Sequence, residues 1–278
     1  MRRRTLGMRP KPERYSSQYA EWFKHPDVIA AYPSRPPYAQ AAIDFLSGLA
    51  SDRPRRALDI GCGTGDIARR LAPLVEQVDA VDFSAGMIET GRRLPGGTAS
   101  NVRWIIGAVE DAPLDPPYAL VTAGESLHWM NWEVVVPRLA DALSPNGLVA
   151  IVGRDWEGPP AVRTRTRPVL KRHSVVRWQD VDLLSELQSR ELFTVVGSRS
   201  FGPDVWEPTV EQYLECRHSQ RSFARSAMGE TAARAFDAEL RQVLTELCAS
   251  GAIQCISDSL QLSVETTVTW GRPRGQFS

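Results

Sequence analysis

The chain has few lysines, few cysteines, no net charge and no long apolar run. Only three of its 33 basic residues are lysines, and 33 acidic residues bring the formal net charge to zero. A protein without a strong field of either sign is not drawn to nucleic acid or to an anionic membrane. No apolar stretch approaches the ~20 residues of a membrane span, and none follows Arg2–Arg4 as in a signal peptide. We therefore expect neither a nucleic-acid nor a membrane partner.

The four cysteines are Cys62, Cys216, Cys248 and Cys255. None of them forms a C-x-x-C pair or a zinc-binding spacing, so the sequence predicts no metal site. Cys62 stands within a glycine-rich loop, where a small residue is needed. Without a pairing pattern, the simplest expectation is that the cysteines are reduced and that the protein is cytoplasmic.

The glycine-rich loop is the most informative stretch of the chain. Residues 57–60 form a short apolar run, which predicts a buried strand. Gly61, Gly63 and Gly65 follow at alternate positions, and apolar residues then recur at helical spacing up to residue 74. Glycine is needed where the backbone adopts unusual dihedral angles or where a ligand approaches the main chain. The pattern predicts a strand, a tight ligand-binding loop and a helix.

Two carboxylates indicate which ligand the loop accepts. The dinucleotide fingerprint is G-x-G-x-x-G. Aligned from Gly61, its third glycine would fall at position 66, where this chain has Asp66. An acid at a helix N-terminus suits the helix dipole but would repel a pyrophosphate. Asp59, at the end of the strand, adds a second acid. A cofactor with an ammonium group and no phosphates fits better, and a nicotinamide dehydrogenase or a glycine turn without any cofactor are the weaker alternatives.

A second motif strengthens this interpretation. Residues 78–81 predict another strand, which ends at Asp82, 17 residues after Gly65 (82 − 65). An acid that binds ribose hydroxyls is expected ~20 residues after such a loop. With both motifs, residues 59–65 and 81–84, the chain resembles the class I S-adenosylmethionine-dependent methyltransferases, and in particular the trans-aconitate methyltransferase-like subgroup. The resemblance implies an α/β fold: a Rossmann-like, seven-stranded, mostly parallel sheet with helices on both faces and an α-helical cap.

The resemblance also implies the cofactor, S-adenosyl-L-methionine, and the residues that bind it. These are Asp59, Gly61, Gly63, Gly65, Asp82, Phe83, Met87, Val109, Glu110 and Gly124. Residues 107–114 resemble the family's third cofactor segment, although Ala108 stands where many members have a polar residue. The adenine contact then falls to backbone groups, to Glu110 or to Asp111. Residues 32–38 resemble a segment that lies near the methionine end of the cofactor, with a plain linker as the alternative.

The rest of the chain supplies the other elements of this fold. We predict an N-cap at Ser84, a turn at 145–147, and a helix from Asn131 that is kinked at Pro137 or begins there. Predicted strands cover 102–106, 118–123, 148–152, 193–200 and 260–270, and helices lie in 16–31, 39–49, 181–192 and, as a pair, in 207–249. This gives an N-terminal lid segment (1–40), a core (41–157 with 191–203 and 258–273) and a helical cap over the substrate site (158–190 and 204–257).

Methyl transfer from a sulfonium is an in-line displacement, which depends mostly on positioning. A carboxylate acceptor needs no base, whereas a phenol, an amine or a carbon acid usually does. His128 follows strand four and is the candidate catalytic base, with packing against Trp129 and Trp132 as the alternative. Glu125 is the second catalytic candidate, as a residue that orients the acceptor or binds the cofactor's ammonium. A carboxylate facing the sulfonium would stabilise the donor more than the transition state.

Several basic residues are further candidates. Residues 154–177 are rich in arginine, which indicates a solvated lid face, with an anionic-substrate clamp or nucleic-acid binding as minority interpretations. Arg35 or Arg217 would matter for a carboxylate acceptor. His218 is placed to enter the cavity from the cap, while His25 and His173 have no supporting context.

The sequence thus predicts an enzyme that methylates a small-molecule metabolite at oxygen, nitrogen, carbon or a carboxyl group. The alternative is an S-adenosylmethionine-binding protein of the same fold that catalyses a non-methylating reaction or acts as a non-catalytic partner. The substrate, the acceptor atom and the oligomeric state are left open.

Overall fold

The computed structural model describes residues 10–177 and 181–274, so that Arg2–Arg4 lie outside the described residues. Its centre is a seven-stranded sheet. The strands are β1 (Arg56–Ile60), β2 (Gln77–Asp82), β3 (Val102–Ile106), β4 (Tyr118–Gly124), β5 (Leu143–Asp155), β6 (Phe193–Trp206) and β9 (Leu262–Pro273). Their order across the sheet is β3-β2-β1-β4-β5-β9-β6. The pairings among β1 to β5 are parallel, and β9 runs antiparallel between β5 and β6. The mostly parallel Rossmann-like sheet expected from the sequence is confirmed.

Helices cover both faces of the sheet. They are α1 (Pro26–Ala31), α2 (Gln40–Leu49), α3 (Asp66–Leu71), α4 (Ala85–Arg93), α5 (Trp132–Ala142), α6 (Pro160–His173), α7 (Leu183–Ser189), α8 (Val210–His218), α9 (Arg225–Met228) and α10 (Glu230–Ala249). Apolar residues of α2 and α3 pack in one core cluster, and those of α5 and α7 pack in another. Strand residues alternate between the clusters, because neighbours such as Leu120 and Val121 point to opposite faces. None of the described helices is long and apolar enough to cross a membrane.

A third cluster of apolar residues forms beside the sheet. It joins α6, α8 and α10 through residues such as Val169, Tyr213 and Leu240. A short hairpin of β7 (Cys255–Ile256) and β8 (Ser259–Leu260) follows α10, and Cys248 forms a disulfide with Cys255. The expectation that all four cysteines are reduced is therefore wrong for this pair. The two cysteines meet because the hairpin folds back on α10, and no sequence motif indicates this pairing. Cys62 and Cys216 are free.

Two local predictions need adjustment, and a third is confirmed. The predicted turn at 145–147 lies within β5, where the register jumps from Tyr118 opposite Leu143 to Leu120 opposite Leu148. α5 begins at Trp132, because the Asn131 side chain caps its first turn, and Pro137 lies inside the helix. The alternative prediction of a helix that begins at Pro137 is therefore wrong. The N-cap role of Ser84 is confirmed, since its hydroxyl accepts a hydrogen bond from the Met87 amide.

The segment before α2, here called the N-terminal segment, lies against α9 and the turn after α8. It consists of short helical turns over Glu13–Tyr15, Ser17–Lys24 and Tyr32–Ser34, together with α1. Arg35 Nε donates to Ser219 Oγ at 2.8 Å, and Asp27 accepts hydrogen bonds from the amide and the hydroxyl of Ser226. These contacts close the N-terminal segment over the carboxyl ends of the strands, where ligand sites of such sheets form.

Candidate functional site

The glycine loop after β1 has the backbone that its sequence predicts. Gly61, Gly63 and Gly65 have φ angles of +60°, +56° and +73°, in the left-handed region that favours glycine. A Cβ on Gly61 would lie 2.6 Å from the Cβ of Ser126, so no larger residue fits there. Ser126 Oγ in turn donates to the Ile60 carbonyl at 2.6 Å, which ties the segment after β4 to the start of the loop.

Asp82, at the end of β2, holds the same loop from the other side. Its Oδ2 accepts a hydrogen bond from the Gly63 amide and its Oδ1 accepts one from the Ser84 amide, both at 2.8 Å. Burial raises the pKa of Asp82 to about 6, although the two amides favour the ionised form. Two carboxylate oxygens offer about four lone pairs, so capacity remains for further donors.

A cavity of about 290 Å³ opens in front of the loop. Residues 20–35 of the N-terminal segment cover it, and the ends of β1, β2 and β4 form its floor. Eight of the residues predicted to bind the cofactor line this first cavity: Gly61, Gly63, Asp82, Phe83, Met87, Val109, Glu110 and Gly124. Glu110 lines it together with the backbone neighbours Gly107 and Ala108, whereas Asp111 does not.

Asp59 and Gly65 lie behind the loop and do not line the first cavity. Asp59 Oδ1 accepts a hydrogen bond from Thr122 Oγ1 at 2.8 Å, and only 2% of the residue is exposed. Burial raises the pKa of Asp59 to about 7, against the hydrogen bonds from Thr122 and the Ala68 amide. Gly65 precedes α3, and a Cβ there would lie 2.4 Å from Trp104. Neither residue lines the first cavity, and their direct contact with the cofactor stays a prediction.

Glu125 follows β4 and forms a partly buried ion pair. Its Oε2 accepts from Arg154 Nη2 at 2.7 Å, and Arg35 Nη1 lies 3.9 Å away. Burial raises the pKa of Glu125, but the two guanidiniums outweigh it and hold the net pKa below the usual value. Arg154 also donates to the Pro36 carbonyl and lies over the Tyr38 ring at 4.1 Å. Glu125 therefore positions Arg154 and Arg35, and Arg154 in turn contacts the N-terminal segment at Pro36 and Tyr38.

A second cavity, of about 360 Å³, is lined by residues of the segment before α2, of the ends of β4 and β5, and of α6 and α8 with the turns that follow them. Five aromatic residues line it: Tyr15, Phe23, Trp129, Trp156 and Phe223. Its charged lining consists of Arg35, Arg177, Arg217, Arg221, Glu125 and Glu157, so the cavity is positive on balance. Phe23, Arg35, Glu125 and Trp129 line both cavities, and we call these four residues the junction.

The four histidines have different surroundings. His128 lines the second cavity, with its ring centroid 5.2 Å from that of Tyr15 and 4.3 Å from that of Trp129. His218 lines neither cavity, because its two ring nitrogens are engaged by the Phe223 carbonyl and by Asp237, each at 2.6 Å. The expectation that His218 enters the cavity is therefore wrong. His173 pairs with Glu239, and His25 stacks on Trp22.

The arginine-rich stretch is mostly a surface feature. Arg163, Arg165 and Arg172 each pair with a carboxylate, and their side chains are between 43% and 63% exposed. Only Arg177, among the arginines of α6 and the turn after it, lines the second cavity. Sequence reasoning missed Tyr15 and Arg221 as lining residues. No local motif marks them, because Tyr15 precedes α1 and Arg221 follows α8, and only the fold brings them together.

Comparison with known proteins gives consistent results. The family model of a methyltransferase domain matches residues 57–147. An uncharacterised methyltransferase of Mycobacterium tuberculosis is 30% identical over 194 residues, which cover 63% of this chain and 75% of the relative. Trans-aconitate 2-methyltransferase of Streptomyces avermitilis is 26% identical over 216 residues, which cover 69% of this chain and 77% of the relative.

A solved structure shares the fold. The S-adenosylmethionine-dependent methyltransferase from Geobacter sulfurreducens, in complex with S-adenosyl-L-homocysteine, superposes with a TM-score of 0.52 at 17% sequence identity. The match covers 91% of this chain and all of that chain. At this identity the likeness concerns the arrangement of strands and helices.

Proposed function

Because this chain belongs to the class I S-adenosylmethionine-dependent methyltransferases, we propose that it methylates a small molecule bound in its second cavity. The observation that carries the proposal is the junction, whose four residues line both cavities. A donor in the first cavity and an acceptor in the second would meet there. Holding two reactants in line contributes most of the rate in a displacement of this kind.

The residues of the first cavity fit the donor. S-adenosylmethionine supplies, when bound, an electrophilic methyl group on a positively charged sulfonium. The spare lone pairs of Asp82 would accept hydrogen bonds from ribose hydroxyls, and the glycine loop leaves room where a Cβ on Gly61 would intrude. Val109 and Glu110 line the cavity at the loop after β3, the proposed adenine end. Phe83 and Met87, also lining residues, complete the proposed cofactor contacts.

The second cavity suits a small acceptor. It has a volume of about 360 Å³ and is lined by residues of the core, the N-terminal segment and the cap. The Streptomyces relative is named for a small molecule, trans-aconitate. We assign the cap (158–190 and 204–257) to shaping this cavity and the segment 1–40 to covering both cavities, over a core of 41–157 with 191–203 and 258–273.

Two residues of the second cavity are proposed to act in the reaction. His128 would accept a proton from an acceptor that must lose one, because it lines the cavity near the junction. Glu125 would act as a positioning residue, since its carboxylate is already engaged by Arg154 and Arg35. A cytoplasmic location stays a prediction.

A labelled-cofactor screen tests the proposal. Purified protein is incubated with S-adenosylmethionine carrying a deuterated methyl group and with fractionated metabolites. Mass spectrometry then follows S-adenosylhomocysteine and the labelled product. We expect the label in a small-molecule fraction, with one S-adenosylhomocysteine formed per methyl transferred. Tight binding of the donor without S-adenosylhomocysteine above a heat-inactivated control would instead support a binding protein that does not transfer methyl groups.

A further inference from the structure

Arg217 occupies an unusual position in the second cavity. It belongs to α8, whose first turn is fixed by a capping box between Thr209 and Gln212. The residue is only 2% exposed, yet it lines the cavity. A rigid helix therefore holds a charged side chain inside the protein, at the wall of the proposed acceptor site.

The guanidinium of Arg217 is incompletely paired. Nη2 donates to the Tyr213 hydroxyl at 2.6 Å, Nε has no hydrogen-bond partner, and Nη1 forms no hydrogen bond with a described residue. The guanidinium carbon lies 4.3 Å from the centroid of the Trp156 ring and 4.9 Å from that of Tyr213. Aromatic contacts stabilise a cation only in part. A buried charge without an opposite charge is unfavourable unless a ligand completes its partners.

The carboxylates of the cavity do not supply that partner. Glu125 is engaged by Arg154 and Arg35. Glu157 Oε2 lies 3.8 Å from Arg163 Nε, and its side chain is 40% exposed. Within the described part of the chain, no carboxylate oxygen lies within 4.0 Å of the Arg217 guanidinium. The charge of Arg217 is therefore available to a ligand that enters the second cavity.

We propose that Arg217 binds a carboxylate of the acceptor molecule, and that this carboxylate is not the group that receives the methyl. The inference rests on the proposed function, because it assigns the acceptor to the second cavity. Arg217 lines only that cavity, whereas the junction consists of Phe23, Arg35, Glu125 and Trp129. A group held by Arg217 is therefore away from the transferred methyl. A planar guanidinium resting on an aromatic ring matches the planar carboxylate.

The acceptor therefore carries at least two functional groups, one methylated and one anchored. The anchored carboxylate keeps its charge before and after transfer, so Arg217 would stabilise the ground state and the transition state equally. Removing such an interaction raises KM and leaves kcat nearly unchanged. A residue that served only the packing of α8 would not discriminate between charged and neutral ligands.

Calorimetry on protein saturated with S-adenosylhomocysteine tests the proposal. The probes are succinate and benzene-1,2-dicarboxylate, each compared with its neutral diamide. We expect the wild type to bind a diacid and to reject the diamide. Arg217→Gln should weaken diacid binding by about 10- to 100-fold, the loss expected for a hydrogen bond to a charged group, and Arg217→Lys should restore part of it. Arg234→Gln, which removes an exposed arginine paired with Glu230 on α10, should change nothing.

Melting temperature and S-adenosylhomocysteine affinity report whether each variant is folded. If Arg217→Gln does not fold, Arg217→Lys still decides, because it must weaken diacid binding and leave the affinity for S-adenosylhomocysteine unchanged. Equal affinity of the wild type for diacid and diamide, no diacid binding at millimolar concentration, or wild-type diacid affinity in the folded variants would overturn the proposal. Methylation of neutral molecules alone would contradict the Arg217 subsite and leave the proposed methyl transfer supported. Arg217-dependent diacid binding without any methyl transfer would support the subsite and contradict the proposed methyl transfer.

Discussion

Replacement of Asp82 by asparagine is the sharpest test of the cofactor site. Asparagine keeps the size of the side chain, but one of its two polar atoms donates instead of accepting. The Gly63 amide or the Ser84 amide, which now bind separate oxygens at 2.8 Å, then loses its acceptor. A lost bond between a ribose hydroxyl and the charged group costs roughly 1.5–3 kcal/mol of affinity, whereas the amide bond exists with and without ligand, so its loss lowers the stability of the protein. The dissociation constant of S-adenosylhomocysteine should therefore rise roughly 10- to 100-fold.

The pH dependence gives the same residue a second signature. Burial raises the pKa of Asp82 to about 6 from an ordinary 3.8. The folded protein without ligand thus holds this proton more tightly than the unfolded chain, so its stability falls as pH rises from about 4 to 6. The decrease is on the order of 3 kcal/mol, since one pKa unit corresponds to about 1.4 kcal/mol. Ligand binding requires the ionised form, and the affinity of the wild type should fall below pH 6, approaching tenfold per pH unit.

Calorimetric titration with S-adenosylhomocysteine between pH 5 and 8 measures both effects. The Asp82→Asn variant should bind weakly with little pH dependence. Asp141→Asn, on the exposed side of α5, should reproduce the wild type. NAD should bind neither protein. An Asp82→Asn affinity within threefold of the wild type at pH 7.5, or an unchanged pH profile, would refute the assignment of Asp82.

Three further variants address the loop, the junction and the base. Gly61→Ala places a Cβ 2.6 Å from Ser126 at a φ of +60°, so cofactor affinity should fall at least tenfold, and calorimetry showing wild-type affinity would contradict this. Glu125→Gln leaves the Arg154 side chain, which is 5% exposed, without its anion. The free energy of unfolding measured with urea should fall by about 3 kcal/mol, and an unchanged midpoint would show that the ion pair does not stabilise the fold. His128→Ala should lower kcat roughly 10²- to 10⁴-fold, with partial rescue at high pH, if the acceptor loses a proton. It should mainly raise KM if the acceptor is a carboxylate, and unchanged kcat and KM would make His128 a packing residue.

The first cavity could be predicted largely from the sequence, because its parts are local. Gly61, Gly63 and the strand before them are contiguous, and Asp82 ends the next strand in the chain, which pairs directly with β1. Because these residues are close along the chain, the sequence itself shows the pattern of strand, turn and acid. The same pattern placed Asp59 in the cavity as well, although the structure turns its carboxylate towards Thr122.

The second cavity could not be predicted in the same way. Tyr15, His128 and Arg217 meet there from three distant parts of the chain. Which polar residues of a cap helix face inward depends on how the helix packs, and periodicity alone does not show this. Arg217 and His218 are adjacent in α8, yet the arginine lines the cavity while the histidine is engaged by Asp237 and a backbone carbonyl.

A crystal structure of the protein with S-adenosylhomocysteine is the decisive test of the roles proposed for the two cavities. We expect the ribose hydroxyls at Asp82 and the sulfur beside Phe23, Glu125 and Trp129, facing the second cavity. A methyl group on that sulfur would then point at the acceptor site lined by Arg217. A sulfur turned away from the second cavity, or a nucleoside bound outside the first cavity, would contradict these roles.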